Sequence, residues 1–183
     1  MQITGIILSG GQSKRMGTDK ALIHINEKTL LDNAIDICSN FFSPILISSN
    51  HRNHEKTGYK VIPDEIINCG PMGGIYSSLK QSVTDWNFVM SVDAAFVETE
   101  FIKYIISETG DFDAIIPIHQ NGKEPLIALY HKDSLAEMKK MLDLGNFKIQ
   151  NLLNLINTRY VDSQDFVKRF PKLFRNLNRP EDF

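Results

Sequence analysis

Cysteine is scarce in this sequence, and the scarcity bears on the compartment in which the protein works. The 183 residues include two cysteines, Cys38 and Cys69, which lie far apart and form no C-x-x-C pair. This spacing predicts free thiols in a reducing environment. No apolar run is long enough to span a bilayer, and no basic segment precedes a separate apolar segment as in a signal peptide. We therefore expect a cytoplasmic protein without a membrane partner.

An excess of charge is also missing. Lysine and arginine together number 20 and aspartate and glutamate 22, which gives a formal net charge of −2 at pH 7. A chain with this balance is not expected to be a general nucleic-acid binder, although local cations could still hold one anionic ligand. There is no internal repeat, linker or low-complexity segment, and the length predicts one domain over residues 1–183. The motif G-x-S-x-G is absent, so a nucleophile elbow is unsupported.

What the sequence does contain is an alternation of apolar runs with amphipathic segments. We predict strands at residues 3–8, 45–49, 59–62, 86–92, 113–118, 126–130 and 158–161. We predict helices from Thr29 to about residue 42, from the glycines near residue 73 to residue 83, and over residues 99–109, 133–142 and 147–156. Strands that alternate with helices in this way predict an α/β fold.

The first strand leads into a loop with the features of a phosphate site. Residues 3–8 form an apolar run typical of a strand buried on both faces. Residues 9–11 then remove side-chain bulk, which lets backbone N–H groups approach a ligand closely. Cations follow at Lys14, Arg15 and Lys20. Bare amides and cations at the end of a buried strand favour phosphate binding, and the alternative is an ordinary glycine-rich turn with solvated charges.

Three polar side chains follow later strands, at the sheet edge where open α/β folds bind ligands. Asn50 could read the edge of a base or simply form a turn. Asp64 precedes a second glycine-rich loop, residues 68–74, which could admit another backbone or a flat ring at the start of a helix. The alternative, compatible with this, is a helix packed tightly on the sheet. Asp93 ends a central strand, where a carboxylate is costly unless it has a partner such as Mg²⁺. The alternative for Asp93 is an N-cap or a turn.

Two further features have more than one interpretation. His51 and His54 stand three residues apart in the polar segment HRNHEK, and with no third ligand in view we predict a surface segment rather than a metal site. Lys123 precedes a proline-containing turn between two predicted strands. It is either a substrate-side cation or a lysine of a hairpin loop.

The stretch from Leu8 to Leu22 resembles the signature L-[AS]-G-G-x-S-x-R-M-G-x-D-K-A-L of the MobA-like nucleotidyltransferases, and every fixed position is filled. Residues 70–75 and 174–182 resemble two further blocks of that family. Where the family usually has C-D-x-P-F, this chain has V-D-A-A-F, and Ala95 in place of proline loosens the restraint on that loop. The resemblance implies a Rossmann-like three-layer α/β/α domain with a mostly parallel, mixed central sheet, like that of the nucleotide-diphospho-sugar transferases.

The resemblance also implies an activity. Members of the family bind GTP with Mg²⁺ and transfer GMP to the phosphate of molybdopterin, with release of pyrophosphate. Proteins that deliver molybdopterin or mature molybdoenzymes would then be partners. Two alternatives stay open: a CTP-dependent transferase acting on molybdopterin or on a phosphorylated sugar or alcohol, and a non-catalytic nucleotide-binding homologue.

Roles can be carried over residue by residue. We expect Arg15 and Lys20 to neutralise the phosphates and Asp93 to hold the metal ion. The nucleotide-binding residues are expected to be Leu8, Ser9, Gly10, Gly11, Lys20, Asn50, Asp64, Gly73 and Asp93. On the acceptor side we expect Lys123, Asn176 and Asn178, with the two asparagines on a short strand; a cap and turn before a helix is their alternative interpretation.

Overall fold

The computed structural model describes residues 1–10, 19–25 and 27–177. Within these ranges the strands are β1 Thr4–Leu8, β2 His24–Ile25, β3 Lys28–Thr29, β4 Ile45–Ser48, β5 Lys60–Ile62, β6 Trp86–Ser91, β7 Ala114–His119, β8 Gly122–Lys123, β9 Ile127–His131 and β10 Thr158–Asp162. The α-helices are α1 Leu30–Ser39, α2 Pro71–Gln81, α3 Thr99–Ser107, α4 Leu135–Asp143, α5 Ile149–Leu153 and α6 Gln164–Arg169.

One mixed sheet organises the chain, with the strand order β10-β7-β9-β6-β1-β4-β5 and β8 paired to β7. β1 is parallel to both of its neighbours, β4 and β6. β5 pairs in parallel with β4, and β10 pairs in parallel with β7. β9 is antiparallel to β6 and to β7. The predicted α/β fold with a mostly parallel, mixed sheet is therefore confirmed.

The helices cover both faces of the sheet. Successive residues of β1 point to opposite sides, so Ile7 packs with α1 and α3 whereas Ile6 packs with α2, α4 and α5. Both side chains are fully buried. This division gives the three layers that the sequence predicted.

Helix α1 ends earlier than its apolar pattern suggested. The sequence predicts a helix to about residue 42, but α1 ends at Ser39, and the side chains of Ile37 and Phe41 are only partly buried. The buried face of α1 consists of Leu30, Leu31, Ala34, Ile35 and Cys38. The N–H groups of Phe41 and Phe42 both donate to the carbonyl of Cys38 and close a last turn, after which Ser43 donates its N–H to the carbonyl of Ile3 and the chain joins the sheet.

Other boundaries also moved. The helix predicted to reach residue 83 ends at Gln81, and Val83 is exposed. The helix predicted to start at residue 133 starts at Leu135, because Asp133 lies in a preceding 3₁₀ turn. Asn176 lies in irregular chain, so the short strand predicted there is wrong as far as the described residues reach.

Two expectations about the whole chain can be compared with the described residues. Both cysteines are buried free thiols, as predicted, and burial raises the pKa of each. In the described ranges, no helix combines the length and the apolar character needed to cross a membrane.

The amino terminus of α1 offers a test of local stability. Thr29 Oγ1 accepts the N–H of Asp32 at 3.0 Å, and the Asp32 carboxylate accepts the Thr29 N–H at 3.0 Å, which completes a capping box. We expect Thr29→Ala to lower the free energy of unfolding in urea by about 1 kcal/mol. The matched control is Glu98→Ala at the cap position of α3, where no side-chain capping bond exists. Equal effects of the two substitutions would contradict the assigned cap.

Candidate functional site

A cavity of about 640 Å³ opens at the carboxyl ends of the central parallel strands. It lies where the chain leaves β1, β4, β5 and β6, the edge at which open α/β sheets bind ligands. The cavity is lined by Leu8, Gly10, Ser48, Asn50, Asp64, Ile67, Asn68, Gly70, Pro71, Gly74, Ser91 and Leu126. Four of the residues predicted to contact a nucleotide, Leu8, Gly10, Asn50 and Asp64, are thus brought together in one wall.

Asn50 and Asp64 form a linked pair at the ends of β4 and β5. The Asn50 side-chain amide donates to Asp64 Oδ2 at 3.1 Å, and Asn50 Oδ1 accepts the backbone N–H of Asp64 at 2.9 Å. Partial burial raises the pKa of Asp64, and the hydrogen bond from Asn50 acts against that shift. The pair fixes the Asp64 carboxylate in the cavity wall, with one of its oxygens bonded to the Asn50 amide.

The second glycine-rich loop supplies the floor of the cavity through Gly74. A Cβ atom at Gly74 would lie 2.4 Å from Ser48 Oγ and 3.5 Å from Asp64 Oδ1. Gly73, which the sequence predicted as a contact, is not part of the cavity wall. A Cβ there would meet the carbonyl oxygen of Ile66 at 2.9 Å, and its N–H already donates to Gly70. Both glycines are therefore closely approached by neighbouring atoms, and Gly74 is the one that lines the cavity.

An ion pair joins the first loop to the end of β6. Lys20 Nζ lies 2.6 Å from Asp93 Oδ2, and both side chains are largely buried, at 18% and 14% exposed. Ser91 donates its hydroxyl to Asp93 Oδ1 and also lines the cavity. β1 and β6 are parallel neighbours with Leu8 opposite Ser91, so the segments that follow them meet at this edge.

Backbone amides of the first loop are only partly placed. The N–H of Ser9 donates to the carbonyl of Ser48 at 2.8 Å, so it extends the sheet and is not directed at a ligand, contrary to the sequence-based expectation. The Ser9 hydroxyl is buried and has no hydrogen-bond partner within residues 1–10, 19–25 and 27–177. Gly10 does line the cavity. Gly11 and Arg15 lie outside the described residues.

The prediction of a surface segment is right for five of the six residues of HRNHEK, which are exposed, and wrong for His54. Its side chain is fully buried, and Nε2 lies 2.8 Å from Asp19 Oδ2. His51, three residues earlier, is half-exposed and lies 3.9 Å from the same oxygen. The spacing of the histidines in a polar segment gave no sign of this, because the partner carboxylate comes from a distant part of the chain.

The predicted acceptor-side residues lie apart from the cavity wall. Lys123 donates to the hydroxyl of Tyr160 at 3.0 Å and lies 4.3 Å from the centre of that ring, so it is engaged at the hairpin. Asn176 is exposed, and the N–H of the following Leu177 donates to the carbonyl of Asp93 at 3.1 Å. The chain therefore brings Asn176 close to the Asp93 loop. Asn178 lies outside the described residues.

Among the described residues, Asp93 is not part of a preformed set of metal ligands. Within the described ranges no group of three histidine, cysteine, aspartate or glutamate residues is arranged to hold a metal ion. Mg²⁺ is commonly bound by one or two carboxylates with substrate phosphates and water as the other ligands. Asp93, with the Ser91 hydroxyl beside it, fits a metal ion that arrives with a phosphate ligand.

Comparison with known proteins places this geometry in context. The family model described as "MobA-like NTP transferase domain" matches residues 5–161. A molybdenum cofactor guanylyltransferase from Vibrio parahaemolyticus is 34% identical over 186 residues, which cover 99% of this chain and 93% of the relative. A probable molybdenum cofactor guanylyltransferase from Natranaerobius thermophilus is 32% identical, covering 98% of this chain and 92% of the relative.

The fold is shared with solved structures. Molybdopterin-guanine dinucleotide biosynthesis protein A from Archaeoglobus fulgidus superposes with a TM-score of 0.83 at 24% identity, covering 98% of this chain and 94% of that one. This similarity supports the architecture described above.

The close packing at Gly74 leads to a prediction. We expect Gly74→Ala to lower the free energy of unfolding by about 1–3 kcal/mol, because its Cβ would overlap Ser48 Oγ. Adding Ser48→Ala removes the overlapping atom and should restore most of the loss, since the remaining contacts are of ordinary length. Urea unfolding of the two single variants and the double variant measures both effects. A Gly74→Ala protein as stable as the parent would show that the helix approaches the sheet less closely.

Proposed function

The chain belongs to the MobA-like NTP transferase family and is a nucleotidyltransferase, and from this we propose that it transfers GMP from GTP to the phosphate of molybdopterin. The products of this reaction would be molybdopterin guanine dinucleotide and pyrophosphate. The observation that carries the proposal is the buried Lys20–Asp93 pair beside the cavity at the carboxyl edge of the sheet. The names of the relatives support the choice of substrates.

The reaction asks the protein mainly for placement and charge neutralisation. A phosphate oxygen of the acceptor attacks the α-phosphorus of GTP, the bond from that phosphorus to the bridging oxygen breaks, and pyrophosphate leaves with the electron pair. The attacking phosphate is already ionised at neutral pH, so no general base is required. Negative charge grows on the departing pyrophosphate, and a fixed cation near it lowers the barrier.

Lys20 is the cation in the described part of the chain that we assign to this task. Its ammonium group is held by Asp93, which keeps a largely buried charge compensated before substrate arrives. When the triphosphate binds, its oxygens replace part of that contact. Arg15 of the same loop is proposed, from the sequence, to neutralise the other phosphate oxygens.

Asp93 is proposed to bind Mg²⁺ together with the phosphates of the nucleotide. When bound, the ion would neutralise phosphate charge and hold the triphosphate in place. Ser91 orients the carboxylate by donating to Oδ1. The same hydroxyl lines the cavity, so it links the phosphate end of the site to the space proposed for the nucleoside.

The base is proposed to lie against the Asn50–Asp64 pair. A carboxylate can accept hydrogen bonds from the N1–H and N2–H₂ groups of guanine, and cytosine lacks that pair of donors. Asn50 donates to the carboxylate and accepts the backbone N–H of Asp64, so it holds both the side chain and the backbone of that residue. Gly74 lines the same cavity beside the pair. Asn176, next to the residue that bonds the Asp93 loop, is proposed for the acceptor side.

The central prediction concerns Asp93. We expect Asp93→Asn to lower kcat by about 100-fold, equivalent to ~3 kcal/mol of transition-state stabilisation, because the negative charge that holds Lys20 and the metal ion is lost. The measurement is pyrophosphate release from GTP with Mg²⁺ and molybdopterin. The matched control is Asp36→Asn, which breaks a Lys28–Asp36 pair on the exposed surface. Full activity in Asp93→Asn would remove this residue from the mechanism.

Base selection can be tested separately by calorimetric titration with GTP and CTP in the presence of Mg²⁺. We expect tighter binding of GTP, and we expect Asp64→Asn to reduce the preference by about tenfold, because a hydrogen bond to a charged acceptor is lost. Glu65→Gln is the matched control, since that neighbouring carboxylate is paired with Lys80 at 2.7 Å. A parent protein that prefers CTP would replace the guanylyl assignment with a cytidylyl one.

A further inference from the structure

We propose that His54 is a positioning residue for Lys20. It holds the Asp19 carboxylate, and Asp19 in turn fixes the 3₁₀ turn that presents Lys20 to Asp93 and to the phosphates. The catalytic consequence rests on the proposed function, because it depends on the task assigned to Lys20. The mechanical link from His54 to the turn does not.

The two oxygens of Asp19 have separate tasks. Oδ1 accepts the backbone N–H of Ala21 at 3.1 Å and so caps the turn Lys20–Leu22. Oδ2 accepts the Nε2–H of His54 at 2.8 Å. Lys20 thus lies between the capping residue and the amide that it caps, and the orientation of its backbone depends on the carboxylate.

The burial of His54 shows that this contact is more than packing. Its side chain is wholly inaccessible, and Nδ1 is a buried atom with no hydrogen-bond partner in the described ranges. A half-satisfied imidazole in such a place costs free energy relative to an apolar side chain of similar size. The hydrogen bond to Asp19 is the contribution that an apolar side chain could not make.

The position of His54 is itself firmly set. It lies in a 3₁₀ segment, Arg52–Thr57, that follows β4, and its carbonyl accepts the hydroxyl of Thr57 at 2.7 Å. Its N–H donates to the carbonyl of His51. The stretch after β4 therefore carries both the proposed base-contacting Asn50 and the histidine that anchors the loop of Lys20.

This arrangement secures Lys20 at both ends. Its ammonium group contacts Asp93, and its backbone is held through Asp19 and His54. The ammonium contact has to change when a triphosphate enters the site. The backbone anchor does not, and it keeps the cation in place throughout the reaction.

The test combines single and double variants with steady-state kinetics. We expect His54→Leu to lower kcat about 10- to 100-fold, as small misplacements of a reacting group can do, with a much smaller change in KM for GTP. His54→Gln retains an N–H near the position of Nε2 and should recover most of the activity. In a Lys20→Met background, His54→Leu should cause no further loss of kcat, because His54 acts through Lys20. Additive losses would overturn the proposal.

His51→Gln is the matched control. This imidazole faces the same Asp19 oxygen from 3.9 Å, too far for a hydrogen bond, so its replacement should leave kcat unchanged.

If His54→Leu fails to fold, Asp19→Ala removes the same link from a partly exposed position and should give the same loss and the same lack of additivity with Lys20→Met. Parent-like kcat in Asp19→Ala would overturn the proposal.

A readout independent of substrate separates this inference from the proposed function. NMR can follow hydrogen exchange of the Ala21 amide. We expect this exchange to become much faster in His54→Leu and in Asp19→Ala, and only slightly faster in His54→Gln. Exchange of the amides in β1 should stay unchanged in all three variants. A parent protein that exchanges as expected but transfers no GMP would refute the function alone. A parent that is active, with Ala21 exchange and kcat unaffected by His54→Leu, would refute the positioning role alone.

Discussion

The structure depends on a pairing of charges that neither segment could keep buried alone. Lys20 and Asp93 lie 73 positions apart in the chain, and each side chain is more than four-fifths covered. An ammonium or a carboxylate in such surroundings without its partner would be strongly destabilising. The parallel pairing of β1 with β6 brings the two segments together. The strand order of the sheet therefore determines that the two charges of the site meet.

The reversed strand β9 completes this edge in a way that a parallel strand could not. Because it runs opposite to β6, the residue before its first position, Leu126, comes to the carboxyl end of its neighbours. The carbonyl of Leu126 accepts the N–H of Ser91 at 2.9 Å, and its side chain gives the cavity an apolar wall. Ser91, whose hydroxyl orients Asp93, therefore has its backbone held by the residue directly before β9.

The sequence could predict the fold class and much of the cavity, because these follow from local patterns. Buried strands show as apolar runs, and polar residues directly after them identified Asn50, Asp64 and Asp93. Local patterns do not show how closely two elements pack. Gly73 and Gly74 are equivalent in sequence, but Gly73 lies against Ile66 and Cys69, whereas Gly74 lies against Ser48 of β4 and lines the cavity.

The partnership of Asp19 with His54 could not be predicted for a related reason. A histidine in a hydrophilic segment has the pattern of a surface residue, and its burial results from the docking of a separate turn onto that segment. The signal that was present is the aspartate directly before Lys20 in the first motif, a residue with no task in a purely phosphate-binding loop. The use of Ser9's amide in the sheet was hidden in the same way, since its acceptor lies on another strand.

The hydrogen bond from Leu177 to the carbonyl of Asp93 has a practical consequence for handling the protein. It ties Leu177 to the backbone of the loop on which the proposed metal-binding side chain stands, whereas Met1 is exposed before β1, at the opposite edge of the sheet. A fluorescent label attached at residue 1 is therefore remote from the proposed site. A label attached at Leu177 would disturb the backbone that supports Asp93.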